Sequence, residues 1–288
     1  MKLCELDSPE TVAAVSCSPV ENVVAVSTNQ GRISIYSMEE ARELKSFRPH
    51  SSRVGSLSWN KTVLASGSRD KTISLLDMRC CGLMTLGSSN LDNASRWNHS
   101  TLKGHSQEVC GLRYSPDGRY LASGGNDNLL LLWDIYGNSN TPSYTFTDHK
   151  AAVKALAWSP HKRGLLASGG GTADQEIRLW NSLTGQALSN HKTESQICNM
   201  VWSKNTNELV TTHGFSFNEL IVWKYPIMSP VVKLSGHTSR VLYMALSPDG
   251  RSVVTGSGDE TLRFWHLFDS NPSPPRPYSV LTLENYVR

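Results

Sequence analysis

The chain has 288 residues, 39% of them hydrophobic, enough to bury one large all-β core or two ordinary ones without disulfide or metal support. Its 28 Lys and Arg against 25 Asp and Glu leave a net charge of +3 with no arginine-rich stripe, which argues against nucleic acid or a membrane as the main partner. The six cysteines (Cys4, Cys17, Cys80, Cys81, Cys110, Cys198) follow no metal-ligand spacing and read as reduced thiols, no apolar run approaches the ~20 residues of a membrane span, and MKLCELDSPE has no signal-peptide core. The expectation is a soluble protein of the nucleus and cytoplasm that needs no metal or cofactor.

Self-similarity decides the architecture, and its copies follow one another at near-constant spacing. A first, degenerate copy ends at Tyr36, and a second carries His50, Ser66, Asp70 and Leu76. Residues 80–101 (CCGLMTLGSSNLDNASRWNHST) interrupt the rhythm; rich in Ser and Asn, they are expected to form an inserted surface loop. The third copy, Gly104–Asp134, reads GHSQEVCGLRYSPDGRYLASGGNDNLLLLWD, and the sixth, Gly236–Trp265, reads GHTSRVLYMALSPDGRSVVTGSGDETLRFW. In both, a His (His105, His237) stands 22 residues before an Asp (Asp127, Asp259), a Ser or Thr (Ser123, Thr255) four before it, and a Trp (Trp133, Trp265) six after it. The fourth copy holds His149, Ser168, Asp174 and Trp180, and a degenerate fifth ends at Trp223. The copy ends lie 40, 57, 47, 43 and 42 residues apart, close to the period of about 40 to 45 of a WD repeat.

Within a copy, runs such as VKALAW (153–158), LLAS (165–168) and EIRLW (176–180) are short, β-branched or aromatic-rich and bounded by turn residues, as strands are. Ser-Pro-Asp-Gly at 115–118 and 247–250 suits a tight turn, Pro presetting φ and Gly accepting a positive one. The expected fold class is all-β, a WD-repeat β-propeller with six recognisable repeats over residues 1–268. Residues 269–288 then form a Pro-rich linker (NPSPPRP, 271–277) and a C-terminal tail.

A motif search would read His105, Ser123 and Asp127 as a hydrolase triad. An active site is needed once, whereas this set recurs at His149, Ser168 and Asp174 and again at His237, Thr255 and Asp259. By resemblance to WD-repeat proteins, these residues with Trp133, Trp180 and Trp265 form buried hydrogen-bond chains from turn Asp to His to hydroxyl to indole. Such chains satisfy groups that would each cost about 1 to 3 kcal/mol if buried unpaired. There is no phosphate-binding loop, and His161 and His213 read as isolated turn or surface histidines. The chain reads as a binder, not an enzyme.

Several strings go beyond a generic repeat: ASGGNDN (122–128), AAVKALAWSP (151–160), LLASGGGTAD (165–174), ELVTTHGF (208–215), IVWKYP (221–226) and GDETLRFW (258–265). They resemble the propellers of the Fizzy and Fizzy-related activators of the anaphase-promoting complex. The resemblance implies a substrate-recognition adaptor that holds degradation motifs of substrates such as cyclins for ubiquitin transfer, with ligase subunits as further partners. It assigns the Lys-Glu-Asn motif, the KEN box, to Asn126, Thr172, Gln196 and Arg240, where Arg240 can pair with the carboxylate and the amides and hydroxyl can meet the ammonium and amide. Taken by position alone, Asn126 and Thr172 equally suit ordinary turns and Arg240 a solvated strand end.

The resemblance assigns the arginine of the Arg-x-x-Leu destruction box to Glu260, otherwise a solvated turn carboxylate. It implies seven blades where six copies are recognisable, so the first blade and half of the destruction-box groove are expected to be missing, as is the basic C-box arm. It also implies a ligase-docking Ile-Arg terminus, for which Val287 and Arg288 could serve; SVLTL (279–283) could instead supply the last outer strand. The alternative is a WD-repeat scaffold that keeps this surface without activating the ligase.

Overall fold

The computed structural model describes residues 9–81, 99–137 and 140–268. Their strands form six antiparallel sheets in chain order. Blade 1 is β1 (Val12–Cys17), β2 (Val23–Thr28), β3 (Ile33–Ser37) and β4 (Glu43–Phe47). Blade 2 is β5 (Val54–Asn60), β6 (Val63–Ser68), β7 (Thr72–Asp77) and β8 (His99–Lys103). Blade 3 is β9 (Val109–Tyr114), β10 (Tyr120–Gly125), β11 (Leu130–Asp134) and β12 (Tyr144–Phe146). Blade 4 is β13 (Val153–Trp158), β14 (Leu165–Gly170), β15 (Glu176–Asn181) and β16 (Gln186–Lys192). Blade 5 is β17 (Ile197–Trp202), β18 (Glu208–His213), β19 (Leu220–Lys224) and β20 (Ser229–Leu234), and blade 6 has three described strands, β21 (Val241–Leu246), β22 (Ser252–Ser257) and β23 (Leu262–His266). The architecture is a six-bladed β-propeller.

The inner strands β1, β5, β9, β13, β17 and β21 contact one another in sequence around the centre. Because successive side chains of a strand point to opposite faces, each blade divides its apolar residues between two neighbours. In blade 3, Leu121, Leu131 and Trp133 face blade 2, while Ala122, Leu130 and Leu132 face blade 4. The core is therefore a series of inter-blade layers, one at each junction from blades 1 and 2 to blades 5 and 6. No such layer joins blade 6 to blade 1 among the described residues. There, Val12 and Val15 on β1, and Tyr243, Leu262 and Phe264 on blade 6, are between 50% and 73% exposed.

The insertion is shorter than composition suggests. Residues 99–101, expected in the surface loop, belong to β8, where Leu76 pairs with His99, Leu75 with Ser100 and Ser74 with Thr101. An outer strand carries polar side chains on its solvent edge, so Ser and Thr there do not mark a loop. The central part of the insertion lies outside the described residues, as do the linker, SVLTL, Val287 and Arg288.

Two sets of tryptophans hold the blades. In blade 3 the Trp133 indole donates to Ser123 Oγ (2.8 Å), which lies 2.9 Å from His105 Nε2, and His105 Nδ1 lies 3.0 Å from Asp127 Oδ1. With the hydroxyl accepting from the indole, its own proton goes to Nε2, leaving Nδ1–H to donate to the carboxylate. Blade 4 repeats the chain through Trp180, Ser168, His149 and Asp174, and blade 6 through Trp265, Thr255, His237 and Asp259. In blade 2, His50 bridges Ser66 and Asp70, while buried Leu76 takes the indole position. The second set ends the inner strands: Trp59, Trp158 and Trp202 donate to the carbonyls of Ser16, Arg113 and Ala157 in the preceding blade.

Blade 5 overturns the reading of His213 as a turn or surface residue. Its ring is fully buried on β18, accepting from Thr211 Oγ1 at Nε2 (2.7 Å) and meeting Ser195 Oγ at Nδ1 (2.7 Å), while Trp223 donates to Thr211 (2.8 Å). The histidine has moved from the loop onto the strand, and a serine takes the place of the carboxylate. Burial, aided by Lys233, pushes His213 down to about 4. His161 is not isolated either: its Nε2 lies 3.0 Å from the carbonyls of both Ser203 and Thr206, bridging blades 4 and 5.

Turn chemistry closes the blades. In each Ser-Pro-Asp-Gly turn the glycine adopts positive φ (Gly118 71°, Gly250 73°) and donates to the serine carbonyl (2.9 Å in both).

Ser123→Ala leaves both the Trp133 indole and His105 Nε2 without a partner in the core. Urea denaturation is expected to show a loss of about 2 to 4 kcal/mol. A second expectation concerns acid. With its folded value near 4 against 6.5, His213 contributes stability that is complete above about pH 6.5 and is lost as the pH falls to 4, because the unfolded chain takes a proton that the fold refuses. Over that window the wild type should lose on the order of 3 kcal/mol more than His213→Asn in urea midpoints measured at each pH.

Candidate functional site

The hydrogen-bond chains place two positions of every regular blade at one rim of the ring. The residue three after the chain histidine enters the inner strand: Arg53, Glu108, Ala152 and Arg240 follow His50, His105, His149 and His237 in this way. Blade 5 presents Gln196 at the same place, just before β17. The turn beyond the second strand folds back onto this position through a backbone bond. Arg69 N–H donates to Arg53 O (2.8 Å), Asn126 to Glu108 O (2.9 Å), Gly214 to Gln196 O (2.9 Å) and Gly258 to Arg240 O (3.2 Å). Asn126 immediately precedes chain Asp127, and Arg69 immediately precedes Asp70.

The turn carboxylates are held by donors. Burial alone would raise Asp127, but the Ser106 N–H, the His105 ring and the Leu129 N–H outweigh it and keep the group below the usual carboxylate range. Asp70 and Asp174 are lowered against burial likewise, by Thr72 and His50 in one case and by His149 in the other. Asp259 is lowered most, by the Thr261 hydroxyl first. These carboxylates are committed to the scaffold, while the rim side chains beside them are left for the surface.

Inside the rim lies a central cavity of about 540 Å³ bounded by all six inner strands. Arg53, Glu108, Asn126 and Lys154 stand at it, with Cys110, Cys198 and Asn199 along its wall. Gln196 and Arg240 meet over Gly214, where a Cβ would lie 3.1 Å from Gln196 Oε1 and 3.4 Å from Arg240 Cδ. The Arg240 guanidinium also sits 5.5 Å from the ring centroid of exposed Phe215, and Lys154 Nζ sits 5.5 Å from that of Tyr243.

Of the four residues assigned to the KEN box, Gln196 and Arg240 both lie against Gly214, while Asn126 lines the central cavity, which neither of those two does. Exposed Thr172 occupies the corresponding turn of blade 4, with no hydrogen bond to the other three. Glu260 lies apart, exposed at the β22–β23 turn with φ of 62°, two residues before exposed Leu262 on the blade 6 face that carries no apolar layer among the described residues. Sequence reading missed Arg53, Glu108, Lys154 and Phe215. The first two carried a usable signal, the fixed offset of three from a chain histidine.

The chain matches the family described as the CDC20/Fizzy WD40 domain over residues 1–265. It is 50% identical over 279 residues to Protein FIZZY-RELATED 1 of Arabidopsis thaliana, an alignment covering 97% of this chain and 55% of that protein. It is also 50% identical over 273 residues to B-type cell cycle switch protein ccs52A of Medicago truncatula (95% and 54%), and 45% identical over 300 residues to Anaphase-promoting complex subunit cdh1 of Dictyostelium discoideum (94% and 38%). The chain spans about half the length of the curated relatives it matches. Among solved structures, a chain in a crystal structure of the mitotic checkpoint complex superposes with a TM-score of 0.85 at 42% identity, covering 93% of this chain and 78% of that one.

Ser123 and Ser168 are fully buried and already bonded to an indole and an imidazole, so neither hydroxyl can reach a substrate. Burial pushes the Cys110 thiol up to about 12 despite Lys154, and raises Cys198 as well, so both stay protonated at neutral pH. Among the described residues no three His, Cys, Asp or Glu side chains cluster as a metal site. Iodoacetamide at pH 7.5, followed by peptide mass spectrometry, is expected to label exposed Cys17 while folded protein spares Cys110 and Cys198; rapid labelling of Cys110 would mark a reactive channel thiol.

Proposed function

The chain belongs to the CDC20/Fizzy family of WD40 domains, and from that membership we propose that it is a non-enzymatic substrate adaptor of the anaphase-promoting complex, receiving KEN-box peptides at the central rim. The observation that carries this reading is the convergence of Gln196 and Arg240 over Gly214, at the same rim position that in blade 3 sets Asn126 beside the central cavity. Gly214 is what lets the two side chains approach, because any larger residue would press on Gln196. Arg240, extended over Phe215, offers a fixed guanidinium for the glutamate of the motif. Glu108 stands at the same mouth and adds a carboxylate for the lysine ammonium. Blades 3, 5 and 6 contribute these residues, with Thr172 assigned from blade 4, so an extended tripeptide would cross the rim and not follow a single blade.

Destruction-box recognition fits the open side of blade 6. Glu260 offers a carboxylate to the arginine, and the exposed Leu262 and Phe264 offer apolar surface to the leucine. Among the described residues no apolar layer covers this face of blade 6. A second reading is a scaffold that holds substrates without activating the ligase.

Fluorescence anisotropy with a labelled KEN peptide tests the assignment. Micromolar binding is expected, weakened about 10-fold to 100-fold by Arg240→Ala, the cost of one charge-assisted pair. Binding indifferent to Arg240→Ala, or no binding, removes the site. Binding without ubiquitination of a KEN substrate by purified ligase separates the scaffold from the activator.

A further inference from the structure

Blade 2 departs from the other blades at the rim. Where blade 3 has Glu108 and Asn126 at the two adjoining positions, blade 2 has Arg53 and Arg69, joined through the Arg69 N–H to Arg53 O bond. A third guanidinium, Arg48, reaches the same place from the link between β4 and β5. Together with Asn29, Gln30, Ser51 and Ser52 these three arginines line a separate cavity of about 640 Å³ between blades 1 and 2. Among the described residues the seven that line it are all polar, and none is acidic.

The walls are built, not accidental. Gly31, at φ of 88°, presses the β2–β3 turn against the linker so closely that a Cβ there would collide with the His50 carbonyl. That contact holds Asn29 and Gln30 against the segment from Arg48 to Arg53. The carboxylate next to Arg69 in the chain, Asp70, is already held by His50, the Ser51 N–H and Thr72. Arg48 donates to neutral Gln30 Oε1 (3.2 Å), and neither Arg53 nor Arg69 has a side-chain hydrogen bond or ion pair among the described residues. Several surface arginines elsewhere are matched, as Arg32 is by Glu43, Arg79 by Asp77 and Arg119 by Asp134, while Arg240 and Arg263 stand singly without an ion pair among the described residues. Three unmatched guanidiniums at one cavity mean a standing positive potential that an anion would relieve.

We propose that this cavity is a phosphate-recognition site that receives a phosphorylated serine or threonine of a peptide. A carboxylate has two oxygens and can occupy one guanidinium fork, whereas a phosphomonoester presents three acceptor oxygens with a charge near −2 and can engage several forks together. The hydroxyls of Ser51 and Ser52 and the amide of Gln30 supply neutral donors around it, Asn29 being held by Pro9 and Thr11, and no apolar side chain is among the described lining residues. Arg53 also lines the central cavity, so a peptide bound here continues onto the central mouth. The site is therefore a second, charge-gated contact on the same face, one that phosphorylation of the ligand would switch on.

The test uses the whole chain and a fluorescein-labelled peptide with one phosphothreonine in a Gly-Ser background, beside its unphosphorylated and Asp-substituted counterparts. The phosphopeptide is expected to bind at least about tenfold more tightly than either counterpart, and inorganic phosphate should displace it. Arg53→Ala and Arg69→Ala should each weaken it about tenfold, Arg69→Lys less, and Arg163→Ala on blade 4 not at all, with circular dichroism unchanged in every variant. Equal affinity for the Asp peptide, indifference to both arginine substitutions, or equally effective competition by a single-stranded RNA oligonucleotide would each overturn the proposal.

Discussion

The buried chain from turn carboxylate to imidazole to hydroxyl to indole is the constraint on which the rest of the molecule depends. It ties four separate pieces of a blade together: the entering loop, the second strand, the turn beyond it and the third strand. In blade 3 these are His105, Ser123, Asp127 and Trp133, each atom satisfied by the next. A buried hydrogen-bonded network of this kind is costly when broken and rigid when complete. Its rigidity reaches the surface because the rim residues lie at fixed distances along the chain from two of its members, three beyond the histidine and one before the aspartate. A polar core thus sets the coordinates of a polar binding face.

Much of this was legible in the residues because the same physics is repeated. The 22-residue spacing from His105 to Asp127 returns from His237 to Asp259, and a repeated spacing exposes both the architecture and the futility of reading each set as a triad. What failed to show in the sequence were exchanges between partners that keep the chemistry and lose the spacing. His213 does the work of a loop histidine from a strand, which a fixed grid cannot register. The tryptophans that bridge blades, Trp59, Trp158 and Trp202, bond to backbone carbonyls, and a carbonyl carries no sequence mark. At the candidate site, Asn126, Gln196 and Arg240 were named by resemblance, and Arg53 and Arg69 were passed over, because only the folded turn shows that they are neighbours.

A propeller has no single core, and that explains how one junction can differ from the rest. Apolar side chains alternate between the two faces of every strand, so each junction is filled independently by the pair of blades that meets there. Between blades 5 and 6, Val210, Leu220, Val222, Val241 and Val253 are buried together, whereas Leu262 and Phe264 on the open side of blade 6 face solvent. Openness at one junction leaves the other five layers intact. The rim residues of blades 3 to 6 depend on those layers and on their own hydrogen-bond chains, and so are positioned independently of what lies beside Glu260.

The division of labour at the rim follows from the same independence. Each blade offers two solvent-facing positions whose backbone is fixed whatever side chain they carry, so substitution there changes the binding face without a cost in folding. Blade 3 uses Glu108 and Asn126, blades 5 and 6 use Gln196 and Arg240 around Gly214, and blade 2 uses two arginines. The result is a rim with acidic, amide and basic positions, of which Glu108, Asn126 and Arg53 line the central cavity, and Arg53 also joins it to the purely basic sector at one side. A ligand that crosses this face meets opposite charge requirements at successive blades. On the proposed reading, selectivity rests on the order of charges along the peptide, read against a scaffold whose own turn carboxylates are engaged by the histidines beneath them.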